Sequence, residues 1–137
     1  MATSARSYLL PDDILTAILE LARQEKDAKR PLAFQGHDED LQQIFFDLSK
    51  DPKHSLLRTF VFSNSGPRPY SPILSDSVSK LQLAGLIGRQ NPEYEVVFTR
   101  PSAHSYYEAV LSKRFSDEEK TQLKEIAKAF LSHIRCM

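Results

Sequence analysis

Apolar side chains recur along this chain at two spacings, and the spacing changes mark its elements. Ile14, Leu15, Ile18, Leu19 and Ala22 follow the i, i+1, i+4, i+5, i+8 pattern of one helix face. Pro11-Asp12-Asp13 ahead of them sets two carboxylates at the positive end of the helix dipole, which predicts a helix from 11 to about 23. The charge-rich segment 24–36, broken by Pro31, reads as a connector with Phe34 folded inwards. Leu41, Ile44, Phe45 and Leu48 resume helical spacing behind the acidic first turn His37-Asp38-Glu39-Asp40, and Asp51-Pro52 closes that helix.

The segment Leu56–Phe62 is rich in β-branched and aromatic residues and is bounded by Ser63-Asn64-Ser65-Gly66-Pro67, the profile of a short strand. Tyr70-Ser71-Pro72 then opens a helix. The Ser71 hydroxyl is placed to cap a free amide, and Pro72 at the first helical position lacks only an N–H that has no partner there. Ile73, Leu74, Val78 and Leu81 share its apolar side, and Gly85 supplies the left-handed stop. Leu86–Gln90, the turn Asn91-Pro92 and the alternating run Tyr94–Thr99 predict a β-hairpin over 86–99. Ala103, Tyr106, Tyr107, Val110 and Leu111 mark a helix from 101 to about 114. Ser116-Asp117-Glu118-Glu119 is a capping box for a last helix. Its stripe is Leu123, Ile126, Ala127, Phe130, Leu131 and Ile134, with Lys120, Lys124 and Lys128 opposite.

Strand, helix, strand, turn, strand is the order of the second half of a winged helix. The expected fold is therefore α+β: a winged helix-turn-helix with a small antiparallel sheet, a β-hairpin wing and additional C-terminal helices. A single domain over 1–137 is expected, with a flexible N-terminus (1–10), a winged-helix core (11–99) and a C-terminal helical extension (101–135). Gly66-Pro67, Tyr70-Ser71 and Leu74 resemble the Gly-Pro-Tyr-Ser-x-x-Leu signature of winged-helix proteins of bacteria and archaea, including the Panacea domain of SocA-like antitoxins. Arg68 and Pro69 interrupt the signature here, and the resemblance covers roughly a third of the chain. It implies a fold, and it allows either a DNA-binding regulator or an antitoxin-like partner of another protein.

At 137 residues the chain has room for one core, and its 41% hydrophobic and 26% charged residues are those of a globular protein. No apolar run approaches the roughly 20 residues that cross a bilayer, and none has signal-peptide length, so a cytoplasmic protein without a membrane partner is expected. Net charge is zero but uneven: residues 1–52 carry 6 Lys/Arg against 10 Asp/Glu, and residues 53–114 carry 8 against 4. The positive share falls on the predicted helix and wing, where a duplex would need it to displace phosphate counterions.

Catalytic and metal chemistry find little to stand on. The four glycines match neither the P-loop nor the dinucleotide spacing, and no Gly-x-Ser-x-Gly elbow occurs. His37, His54, His104 and His133 lie on four segments, Cys136 is the single, terminal thiol, and adjacent residues such as His37–Asp40 radiate around a helix instead of converging. No enzyme, cofactor or metal is expected. The predicted DNA contacts are Arg68, Ser71, Ser75, Ser79, Lys80 and Gln82 on the loop and helix, with Arg89, Gln90 and Asn91 on the wing. The alternative is a protein-interaction module anchored by Tyr70, Tyr94 and Tyr107. In either case the terminal helix either completes the core or pairs with its copy in a homodimer.

Overall fold

The structure, a computed structural model, describes residues 9–63, 66–90 and 96–136. Helix α1 (Pro11–Asp27) begins on Pro11, with the Leu10 carbonyl accepting from the Asp13 and Ile14 amides. It runs a turn beyond the expected end near 23, because Arg23 and Gln24 are pinned to Glu20 one turn back. Strand β1 (Ala33–Gln35) follows, then α2 (Asp38–Ser49) with Asp38, Glu39 and Asp40 in its first turn. A 3₁₀ helix (Ser55–Thr59) leads through a loop to α3 (Pro72–Leu83), and strands β2 (Ile87–Gln90) and β3 (Val96–Thr99) come next. Helix α4 (Pro101–Tyr106) passes through a π-helical turn (Tyr107–Leu111) into α5 (Ser112–Arg114), and α6 (Asp117–Leu131) closes the chain. The Ser116–Glu119 capping box forms as expected, with both reciprocal bonds at 2.8 and 3.1 Å.

The three strands make one antiparallel sheet in the order β1-β3-β2. Phe34 pairs with Val97, and Gly88 with Phe98. Fold class α+β with a small antiparallel sheet is therefore what the chain adopts. Two expectations need correcting. Leu56–Phe62 is not a strand: the amides of Leu57 and Phe60 donate to carbonyls three residues back. Leu57 and Phe60, three apart, reach the core on that 3₁₀ spacing, so burial and not β-propensity decides the backbone. The third strand is Ala33–Gln35, inside the expected connector, where Phe34 is fully buried. On β3, Val97 and Thr99 are the buried residues, while Val96 and Phe98 are half-buried. Phe98 lies over Gly88, where a Cβ would stand 2.3 Å from the ring.

Helix α1 packs along both α6 and α3, and the sheet closes the remaining side of the core. Phe130 of α6 joins the layers, meeting Phe34 of β1 edge-on at 5.5 Å and Phe45 of α2 at 5.4 Å. The apolar stripe of α6 is thus spent within the chain, with Leu123, Ile126, Ala127 and Phe130 buried. The segment after α6 is tied down as far as Cys136. The Gln35 amide donates to the Arg135 carbonyl at 3.1 Å, and Cys136 bridges to Phe34, which covers the outer edge of β1. The flexible tail proposed for 1–10 falls outside the described residues up to 8, as do Asn91 and Tyr94.

Candidate nucleic-acid interface

Helix α3 is anchored at its start by two devices. The Ser71 hydroxyl accepts from the Leu74 amide at 3.2 Å, the cap expected from sequence. Beneath it, the buried Gln42 of α2 clasps the Ser71 backbone, its Oε1 taking the amide at 2.7 Å and its Nε2 donating to the carbonyl at 3.1 Å. Ser71 is itself fully buried. Its predicted role as a DNA contact is corrected to that of a cap, because a hydroxyl that closes a helix end beneath the surface has no path to a duplex. At the other end Gly85, at φ 79°, takes the left-handed position reserved for it.

Leu74, Ser77, Val78 and Leu81 face inwards, and two rows remain outside. Ser75, Ser79 and Gln82 form an uncharged polar row at i, i+4, i+7, with Ser75 half-buried and the other two exposed. Asp76, Lys80 and Leu83 form the second row, and Leu83 is 88% exposed. Ile73, expected in the core, is 38% exposed, and the apolar side of α3 is carried by Leu74, Val78 and Leu81. The Lys80 ammonium sits 3.0 Å from the Asp76 carboxylate. That hydrogen bond, with the charge of Asp12 beyond it, holds Lys80 above the ordinary lysine pKa. The cation is therefore permanent and already has a counter-ion.

Arg68 lies in the exposed loop before α3 with its Nε 3.8 Å from Glu39, a solvent-screened pair. On β2, Arg89 is half-buried opposite Val97 and Gln90 is exposed opposite Val96. The loop, α3 and β2 thus carry every described residue of the predicted set except Ser71 to half-buried or exposed positions. The positive surplus of 53–114 is not gathered there, however. Arg114 is drawn to Asp13 at 2.8 Å, and Arg100 lines a cleft against the end of α1. Of the tyrosines proposed as protein anchors, Tyr70 is 44% exposed and Tyr107 is buried. Sequence reasoning overlooked Gln42, whose only local signal is an amide set beside Leu41 on the buried side of α2.

Among the described residues no group of three or more His, Cys, Asp or Glu could hold a metal ion, and no helix is long and apolar enough to cross a membrane. No family model, curated protein or solved structure matches the chain.

Proposed function

We propose that the chain is a non-catalytic winged-helix protein that binds double-stranded DNA as a transcriptional regulator would, with α3 in the major groove and the β2–β3 hairpin against the adjacent backbone. The observation that carries this reading is the order of its elements. Helix, strand, helix, helix, strand, strand, closed into a sheet with β3 between β1 and β2, is an order that supports a winged-helix reading, and the outer rows of α3 stand clear of the core. Ser75, Ser79 and Gln82 offer short donors and acceptors to base edges. Arg68, Lys80 and Arg89 are the cations within reach of phosphate, and the Asp76 carboxylate opposes them.

Three phosphate contacts give log K against log salt a slope of about −2 to −3, so affinity for a duplex falls roughly 15- to 60-fold between about 50 and 200 mM salt. Lys80→Glu with Arg89→Glu abolishes the binding, and Asp76→Asn strengthens it severalfold. A gel-shift or anisotropy titration that finds no duplex binding at about 50 mM salt removes the DNA reading. A second reading, a protein-interaction module of antitoxin or adaptor type, is favoured by Leu83, whose apolar side chain stands almost wholly in solvent on the outer face of α3. That reading expects no duplex binding at any salt concentration, so the same titration separates the two.

A further inference from the structure

Positive charge gathers in a different place from α3. The C-terminal end of α1 and the turn after it face the end of β3 and the start of α4 across an open cleft of about 320 Å³. Two hydrogen bonds hold its walls together: the Thr99 amide donates to the Leu32 carbonyl at 2.9 Å, and the Leu32 amide donates to Thr99 Oγ1 at 2.9 Å. Arg23, Lys29, Arg30, Arg100, His104 and Ser105 line the cleft, and no carboxylate is among its lining residues.

The floor is preorganised. The Glu20 carboxylate, its side chain shut off from solvent, is gripped by Arg23 through Nε and Nη2 at 2.9 and 2.7 Å and takes a bond from Gln24 at 2.8 Å. His104 Nδ1 lies 2.7 Å from the same carboxylate, which fixes the ring and leaves Nε2 for a ligand. Arg23 Nη1 also donates to the Ala28 carbonyl at 2.6 Å, so this guanidinium cannot swing away. The exposed cations are Lys29, Arg30 and Arg100. Arg30 is paired only loosely, its Nε 3.8 Å from the exposed Asp27. Four cations set against Glu20 and Asp27 leave two positive charges in excess, and a histidine adds hydrogen-bonding capacity.

We propose that this cleft binds a phosphate dianion carried by a small molecule. Two excess charges match a phosphate monoester, guanidinium forks suit its oxygens, and the volume is at the lower end of small-ligand sites. The cleft also stands at the far end of β3 from the hairpin connection, so it is separate from the proposed duplex surface, and its existence does not depend on that reading.

The test is an amide chemical-shift titration of the whole chain with inorganic phosphate and with glycerol 3-phosphate, against sodium chloride at matched ionic strength. Saturable shifts centred on Lys29, Arg30, Arg100, His104 and Ser105 are expected. Arg30→Glu with Arg100→Glu, both exposed, is expected to weaken binding at least about tenfold while the melting temperature stays put. Binding of glycerol 3-phosphate, with or without inorganic phosphate, supports a phosphate-ester site, and binding of inorganic phosphate alone overturns the ester and leaves only a free-anion site. Shifts that chloride reproduces, shifts that never saturate, or an affinity indifferent to the charge reversal would overturn the proposal. So would displacement of glycerol 3-phosphate by duplex DNA at these residues, which would make the cleft a nucleic-acid contact. The wild-type titration decides the matter even if the double variant does not fold.

Discussion

Glu20 and Gly88 are two positions where a single side chain, or its absence, is tightly constrained by its surroundings. Burial by itself pushes the Glu20 carboxyl up, and hydrogen bonds from Arg23, Gln24 and His104 outweigh it, holding the group below its ordinary value. A carboxylate depressed in the folded state contributes stability that is complete above its unfolded value and fades as pH falls through the folded one. Urea unfolding as a function of pH is therefore expected to show stability declining below about pH 4.3, the ordinary glutamate value. Glu20→Gln should flatten that limb and cost about 3 kcal/mol at neutral pH by leaving Arg23 without its counter-ion. A variant with the same acid limb as the wild type would place the titration elsewhere. Gly88→Ala drives a methyl into the Phe98 ring and is expected to cost about 1–3 kcal/mol. In a Phe98→Leu background the same change should cost much less, and a thermal double-mutant cycle with no coupling would contradict the contact.

At the scale of elements, what could be read from the sequence is what is local in it. The Ser71 cap, Pro72 at the first helical position, the Gly85 stop and the Ser116 box all act within a few residues of themselves, and each stands where the pattern puts it. Gln42 is 29 residues from the Ser71 backbone it clasps, and no periodicity points to it. The strands divide in the same way. The β2–β3 pairing is between neighbours in sequence, whereas β1 meets β3 across some sixty residues, so three residues of strand within a charged connector give no signal. Leu56–Phe62 has the composition of a strand, but among the described residues no strand lies beside it to complete a ladder. Ser71→Ala should cost about 1 kcal/mol, the loss of one cap. Gln42→Ala, which strands a buried amide and a buried carbonyl, should cost about 2–4 kcal/mol. Chemical denaturation that ranked the two the other way would show that the hydroxyl, and not the amide clasp, secures α3.

For the whole molecule, the apolar stripes were legible from spacing, but which surfaces they cover was not. The α6 stripe could have served a dimer, and it is occupied instead by α1, α2 and β1 through Phe130, Ile126 and Leu123. Sedimentation velocity at micromolar concentration is accordingly expected to give one chain per particle, and a dimer there would require a face other than this stripe. Charge shows the same limit. The surplus over 53–114 is real in one dimension, yet folding divides it between the α3 side, an ion pair with Asp13 and the cleft beside α1. The binding proposal therefore rests on topology, with only three cations to support it. The most direct trial of it is an amide chemical-shift map of the whole chain against a mixed-sequence duplex at about 50 mM salt, where three phosphate contacts still hold. The account predicts shifts along Ser75, Ser79, Lys80, Gln82, Arg89 and Gln90. A map left unchanged by the duplex, or one centred on α1 and α6, would contradict it.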